Sequence, residues 1–356
     1  AQARSGPGRA ALRASTRAFP RAPRPPAPSG HRSARPSDSA SEPANLRLIA
    51  LAILLFPLFE AEAGLRRSAA CLALALGLLF AVIGGSMGGY GALLFSALLP
   101  ARVMAFGAEA ILGLPHSQWE RKANKTIALL HRDLTDPEKY SFEGCLFAGE
   151  RDPLDILCAS KMAAHRSLRI ITMRGVGHGP AGHLKNRDRL LPMLQAWIDG
   201  KELPPVKEAG RALETESFPQ DFYDAWVFGR EKQWQQSQDS ACRAAAAYPM
   251  SDEAFLLKGN ALMQLGRAPE AFEAFAVSFC LRNRPQPLAL MGHALRQQEE
   301  PLEARAVYIK TLQRWPNHAP AYFGLGLAEL KLGHREAAQD ALLKACTIDP
   351  KNIHFQ

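Results

Sequence analysis

The last third of the chain carries an internal repeat, and no other feature limits its possible folds so strongly. Glycine recurs at Gly259, Gly292 and Gly326, at intervals of 33 and 34 residues. A small residue follows each glycine by twelve positions and a bulky one follows four positions later, as Ala271 with Phe275, Ala304 with Tyr308, and Ala338 with Leu342. A period of this length predicts stacked helix pairs, because one pair alone cannot cover its own apolar face.

This pattern resembles the tetratricopeptide repeat. Three full units run from about 252 to 350, and a weaker unit at about 218–251, with Trp226, precedes them. Turn residues close the units at Pro249, Pro316 and Pro350. Stacked units form a solenoid with a concave groove. The resemblance implies that a protein or peptide partner binds in that groove.

A glycine-rich segment in the first third has a different character. A short apolar run ends at Ile83, residues 84–88 (Gly-Gly-Ser-Met-Gly) fit G-x-S-x-G, and residues 90–99 have the pattern of a helix. A nucleophilic serine at a sharp strand-to-helix turn sits in strained backbone, and small neighbours allow the close chain approach. The following helix N-terminus directs its amides towards a developing oxyanion. The competing interpretation of Ser86 is an ordinary turn serine.

The alternation of strands and helices continues after this segment. Further strands are predicted at 102–106, 142–147 and 168–173, with helices at 154–164 and 184–198. Such alternation predicts an α/β fold with a parallel sheet covered on both faces. Functional residues of these sheets lie just beyond the carboxyl ends of strands. Ser86, Asp152 and His178 all occupy such positions.

Two of these three positions have competitors nearby. Asp155 competes with Asp152, because an Asp-Pro pair also begins helices well and Asp152 fits an N-cap. We favour Asp152 because it lies in the turn itself. His178 follows its strand directly between two glycines, whereas His183 is expected at the surface, at the start of the last helix.

Residues 76–199 resemble the C-terminal two-thirds of the α/β-hydrolase fold, with the chain order serine, acid, histidine. The stretch from Ser86 into the strand at 102–106 is similar to hydrolase-like domains of bacteria. The resemblance implies that Ser86 is the nucleophile and His178 the general base and acid. Asp152 would orient the imidazole, and the Met87 N–H would be one oxyanion donor. The implied substrate is a small ester or an acylated glycan.

The chain departs from that family in one respect. In the family, a loop that precedes the nucleophile supplies the second oxyanion donor. No such motif precedes Ser86, and His31 is the sole upstream histidine. The upstream part of the hydrolase-like domain is therefore expected to be truncated or atypical. The alternative is a catalytically inactive hydrolase-like domain.

The N-terminal residues differ in composition from the rest. Residues 1–45 are rich in Arg, Pro and Ala and are predicted to be disordered. Their composition is typical of a transit peptide, or of a truncated or partly out-of-frame translation. The apolar runs 48–59 and 68–83 are each shorter than the ~20 residues of a membrane helix. Membrane insertion is therefore disfavoured against a buried strand.

Charge and cysteine content exclude several classes of function. The net charge is +9, but residues 1–36 hold eight arginines and no acid, so the remaining chain is nearly neutral. This distribution argues against nucleic-acid binding. The six cysteines form no closely spaced pair, which predicts reduced thiols of a cytoplasmic protein and no metal site or cofactor.

The sequence thus predicts four regions: a tail at 1–45, a hydrolase-like domain at 46–200, a linker at 201–217 and repeats at 218–356. The linker is polar and holds Pro204 and Pro205, so few contacts are expected to cross it. The predicted function is a serine hydrolase with repeats for protein–protein interaction. The alternative is a repeat scaffold with an inactive hydrolase-like domain.

Overall fold

The computed structural model describes residues 80–99, 101–118, 120 and 130–352. The predicted tail at 1–45, the apolar run 48–59 and residues 68–79 of the second apolar run lie outside this range. Among the described residues, no helix combines the length and apolar character needed to cross a membrane.

A four-stranded parallel sheet lies at the start of the described chain. Its strands pair in chain order, and they are β1 (Phe80–Gly85), β2 (Ala101–Phe106), β3 (Glu143–Gly149) and β4 (Leu168–Met173). In register, Gly85 pairs with Phe106, and Phe106 with Phe147. The carboxyl ends of these strands therefore meet at one edge, which confirms the predicted parallel sheet.

Helices follow the strands and cover both faces of the sheet. They are α1 (Met87–Leu98), α2 (Pro153–Met162), α3 (Pro180–Lys185) and α4 (Leu190–Ile198). Alternate residues of β2 face opposite cores, because side chains of a strand alternate between faces. Val103 packs in the core that holds Leu93 of α1, and Met104 packs in the core that holds Trp197 of α4.

The last helix of this part differs from the prediction at 184–198. The chain forms two helices there, separated by residues 186–189, where Asp188 has a φ of 55°. Pro192 falls in the first turn of α4. A proline is tolerated there, because the first-turn amides have no partner within the helix.

The repeats form consecutive antiparallel helix pairs, as their period predicts. The helices are α5 (Phe218–Arg230), α6 (Trp234–Ala247), α7 (Asp252–Gln264), α8 (Ala268–Leu281), α9 (Pro285–Gln297), α10 (Pro301–Arg314), α11 (Ala319–Lys331) and α12 (Arg335–Ile348). The recurring glycines lie where the two helices of a pair touch. A Cβ on Gly259 would lie 2.4 Å from the Phe275 ring, and one on Gly292 would lie 2.8 Å from the Tyr308 ring.

The segment 201–217 differs from the loose linker that its composition suggests. Ala209 forms an antiparallel bridge with Met173 at the end of β4. The Gly210 N–H donates to the Thr172 carbonyl at 2.8 Å. This stretch is ordered by backbone hydrogen bonds to the sheet. Its side chains Leu203 and Val206 also pack against the core that holds Trp197.

The expectation of few contacts across residues 201–217 is also wrong. Helices α2 and α5 share one apolar core, in which Leu154 and Leu157 lie with Phe218, Phe222 and Tyr223. Apolar α5 residues that a free-standing repeat domain would expose are buried here against the α/β part. The sequence could not show this, because an apolar residue pattern does not name the surface that covers it.

Glu150 supports the same junction with polar contacts. Its buried carboxylate accepts hydrogen bonds from the Thr172 hydroxyl at 2.9 Å, the Ala212 N–H at 2.8 Å and the Tyr248 hydroxyl at 3.1 Å. The three donors come from β4, from residues 201–217 and from the end of α6. One carboxylate therefore links the sheet to the first repeat unit.

The helix contacts of the repeats predict the effect of enlarging Ala304, which is fully buried in α10. Replacement by leucine should destabilise the protein by about 1–3 kcal/mol, because the packed site has no room for the added methyl groups. Chemical denaturation followed by circular dichroism measures this loss. The matched control is Ala306→Leu, at an exposed position of the same helix, which should change stability by about 0.5 kcal/mol or less. Equal effects of the two substitutions would contradict the assigned helix contact.

Candidate active site

The backbone of Ser86 is strained at the junction between β1 and α1. Its φ is 55° and its ψ is −125°, a conformation that non-glycine residues rarely adopt and that costs about 1–3 kcal/mol. Two hydrogen bonds fix this turn. The Ser86 N–H donates to the Phe106 carbonyl at 2.8 Å, and the Gly89 N–H donates to the Ser86 carbonyl at 2.9 Å.

The first glycine of the G-x-S-x-G motif is required by close chain approach. A Cβ on Gly84 would lie 2.0 Å from the Gly88 carbonyl oxygen, so no larger residue fits without moving the turn. Gly88 itself has open space around its Cα. The first glycine of the motif thus allows the end of β1 to approach the start of α1 closely on either side of Ser86.

Three side chains from different segments form a hydrogen-bonded relay. The Ser86 Oγ lies 2.8 Å from Nε2 of His178, and Nδ1 of the same ring lies 2.8 Å from an Asp155 oxygen. Asp155 lies in the first turn of α2, and its side chain is fully buried. Its second oxygen accepts from the Gly149 N–H at 3.3 Å. The structure therefore brings Ser86 and His178 together as the sequence predicts.

The structure corrects the prediction that Asp152 is the acid that contacts His178. Its Oδ2 lies 3.9 Å from Nδ1 of His178, whereas Asp155 is within hydrogen-bonding distance. The other oxygen of Asp152 caps α2 by accepting from the Leu154 and Asp155 N–H groups, each at 3.0 Å. The N-cap interpretation that competed at the sequence level thus describes Asp152. The sequence-based choice of Asp152 did not consider that Asp155, in the first turn of α2, can also reach the His178 ring beyond the end of β4.

Gly107 explains how Asp155 comes so near to the ring. This glycine follows β2 with a φ of 57°, and a Cβ there would lie 2.9 Å from the His178 carbonyl and 3.1 Å from an Asp155 oxygen. The site therefore needs a residue without a side chain at this position. His183 lies elsewhere, with its Nε2 3.5 Å from a Glu208 oxygen, and does not enter the relay.

The charges of the relay are coupled. The hydrogen bond from His178 to Asp155 raises the pKa of the imidazole above its usual range, against the opposing effect of burial, and Asp152 and Glu109 add to the rise. Burial raises the pKa of Asp155, while its hydrogen bond to His178 lowers it. The carboxylate thus stabilises an imidazolium at this position.

Two further residues at the relay were missed at the sequence level. The Gln118 side-chain amide lies 2.8 Å from Nε2 of His178, next to the Ser86 hydroxyl. The Gln118 backbone N–H donates to Glu109 Oε1 at 3.1 Å, and Glu109 is 1% exposed. Glu109 lies three residues after the end of the predicted strand at 102–106. The rule that placed Ser86, Asp152 and His178 beyond strand ends would also have found Glu109.

A cavity of about 280 Å³ opens beside His178, and both parts of the chain line it. The α/β part contributes Glu109, Gln118 and Asp152 to its wall. Trp226 of α5 and Glu253 of α7 contribute from the repeats. The loop after β2 is held against α5 by the Tyr223 hydroxyl, which donates to the Pro115 carbonyl at 3.1 Å.

A cation site is a second chemical interpretation of the acidic groups here. Asp152, Asp155 and His178 offer ligand atoms that lie within 4.8 Å of one another. Asp155 and His178 already engage each other, and one Asp152 oxygen caps α2. The hydrogen bonds account for this arrangement without a metal ion.

Residues 225–285 and 290–353 match the family model of the tetratricopeptide repeat. This part of the chain therefore carries tetratricopeptide repeats, as its period predicts. No curated protein matches the chain.

Several solved structures are similar to the chain. "MamA 41-end from Desulfovibrio magneticus RS-1" is 23% identical, with a TM-score of 0.36 over 39% of this chain and 80% of that one. "YrrB: a TPR protein with an unusual peptide-binding site" is 19% identical, with a TM-score of 0.35 over 49% of this chain and 86% of that one. A thermophilic TPR protein of Thermus thermophilus is 12% identical, with a TM-score of 0.36 over 49% of this chain and 89% of that one.

The relay predicts how each nearby acid affects the imidazole. Asp155→Asn should lower the pKa of His178 by about 1–3, because it removes the hydrogen-bonded negative charge. Asp152→Asn is the matched control and should lower that pKa less, since its carboxylate is 3.9 Å away and asparagine still caps the helix. NMR titration of the imidazole measures both effects. A larger decrease with Asp152→Asn would reverse the assignment of the two acids.

Proposed function

We propose that the α/β part of this chain is a serine hydrolase that cleaves esters. The observation that carries the proposal is the relay from Ser86 through His178 to the buried Asp155, with both hydrogen bonds at 2.8 Å. A second support is the strained backbone of Ser86, since such strain clusters at functional positions and is maintained only where surrounding contacts enforce it.

In the proposed first step, the Ser86 oxygen attacks the ester carbonyl carbon while its proton moves to Nε2 of His178. Asp155 accepts the hydrogen bond from Nδ1 and stabilises the imidazolium that forms. The negative charge that develops on the carbonyl oxygen faces the start of α1. The Met87 N–H at that helix N-terminus is the proposed donor to this oxygen.

In the second step, the tetrahedral intermediate collapses and the carbon–oxygen bond to the alcohol breaks. The imidazolium of His178 returns its proton to the departing oxygen, which leaves an acyl group on Ser86. Water then attacks this acyl group while His178 takes a proton from the water. The bond between the acyl carbon and the Ser86 oxygen breaks, the imidazolium returns its proton to that oxygen, and the carboxylic acid is released. The Gln118 amide lies beside Nε2 and so is positioned where the leaving oxygen would receive its proton.

For the repeats, we infer binding of a protein or peptide partner. Stacked repeats of this kind present an extended concave surface, and such surfaces serve as binding sites. The first repeat helix also lines the cavity beside His178. The proposed hydrolase site and the proposed partner-binding repeats are therefore in direct contact.

The hydrolase proposal predicts covalent labelling of Ser86 by a fluorophosphonate probe. The full chain should label, and Ser86→Ala should lose the label together with turnover of a p-nitrophenyl ester, because the nucleophile is gone. Ser160→Ala is the matched control: this serine lies on α2, where its hydroxyl donates to the Leu157 carbonyl, and should label normally. A folded chain that neither labels nor turns over ester would instead favour a non-catalytic repeat scaffold.

The same proposal predicts the pH dependence of ester turnover. His178 must be neutral to accept the serine proton, and its pKa is raised above the ordinary value of about 6.5. The value of kcat/KM should therefore rise with pH and reach half its maximum above pH 6.5. A midpoint at or below that pH would contradict the role of the Asp155 carboxylate.

A further inference from the structure

Glu109 is a buried carboxylate that the relay does not use. One oxygen accepts the Gln118 N–H, but Oε2 has no hydrogen-bond partner among the described residues. Leaving a buried polar group unpaired costs about 1–3 kcal/mol, and more when the group is charged. Because Glu109 lines the cavity beside His178, a bound molecule can supply the missing donor.

No arginine or lysine among the described residues that line the cavity forms an ion pair with Glu109, although His178 carries a positive charge near it when protonated. Arg151 lies 2.9 Å from Glu253, and it also approaches Asp252 at 3.4 Å, so its charge is already neutralised. Asp152 adds a second negative charge close to His178. Arg230 also lines the cavity, at the exposed end of α5, where its guanidinium stacks over the Trp226 ring and forms no ion pair with Glu109. The interior of this cavity therefore favours a cation.

The repeat part supplies a wall that also suits a cation. The Trp226 ring of α5 lines the cavity, and the Arg230 guanidinium already lies 4.8 Å from the ring centroid. Aromatic faces attract cations through the ring quadrupole, most strongly in tryptophan. His116 packs edge-on against the same ring at 6.0 Å, which fixes the loop after β2 against α5.

We propose that the cavity binds an acyl group carrying an ammonium, with Glu109 as its counter-ion and Trp226 as a second wall. This inference rests on the proposed hydrolase function and names its substrate class as esters of amino-substituted acids. Specificity then depends on both parts of the chain, since the carboxylate follows β2 and the indole belongs to the first repeat helix.

The test compares three p-nitrophenyl esters of nearly equal size on the full chain: β-alanyl, 3-hydroxypropanoyl and butanoyl. The assay is run where the amine is protonated, and each kcat/KM is divided by the rate of hydroxide hydrolysis. The wild-type chain should prefer the β-alanyl ester to the butanoyl ester by about 10- to 100-fold, the range expected of a charged hydrogen bond. The hydroxyl ester should fall between them and distinguishes charge from hydrogen bonding alone.

Glu109→Gln removes the charge and keeps the shape, so it should bring the β-alanyl preference to within about threefold of unity. The matched control is Glu143→Gln, which removes an exposed carboxylate at the opposite end of β3 and should retain the preference. If Glu109→Gln does not fold, the preference of the wild-type chain decides the matter.

Three outcomes would overturn the inference. Ser86-dependent hydrolysis without any ammonium preference would overturn it and leave the hydrolase proposal standing. A preference that survives Glu109→Gln would remove Glu109 from the site. Failure of all three esters to show Ser86-dependent turnover would overturn both proposals.

Discussion

The packing of α5 against α2 is the contact on which the arrangement of this molecule depends. It joins the sheet and the first repeat unit through one apolar core, in which Phe218 and Phe222 lie with Leu154. The Glu150 carboxylate adds hydrogen bonds from both sides of the junction. Because α5 is fixed in this way, Trp226 becomes part of the cavity wall beside His178.

The candidate site combines backbone strain with a buried charge, and neighbouring contacts offset the cost of both. The turn at Ser86 is held by the Phe106 carbonyl and by the close approach of Gly84 to Gly88. Asp155 is buried, and its hydrogen bonds from His178 and the Gly149 N–H compensate the lost hydration. Ser86, His178 and Asp155 are therefore hydrogen-bonded to one another before any substrate binds, which is the arrangement that the proposed ester hydrolysis requires.

The repeats show how a short sequence signal sets a helix contact. Each recurring glycine leaves room for the bulky residue of the paired helix, as Gly292 does for Tyr308. The same ring also lies against Gly324 of the next pair, where a Cβ would be 2.3 Å away. One aromatic side chain thus sets the spacing within a pair and between pairs, and small residues are required on both sides of it.

The sequence by itself determined the repeat period, the order of strands and helices, and the positions of Ser86 and His178. These follow from local patterns, because strand alternation and turn glycines act over a few residues and the repeat recurs at a fixed interval. Only the tertiary structure decided between Asp152 and Asp155, which lie three residues apart and both near a strand end. It also decided that residues 201–217 join the sheet and that Trp226 and Glu109 share a cavity. These contacts are between residues that lie far apart in the sequence. The spacing of neighbouring residues does not show which distant surfaces will pack together.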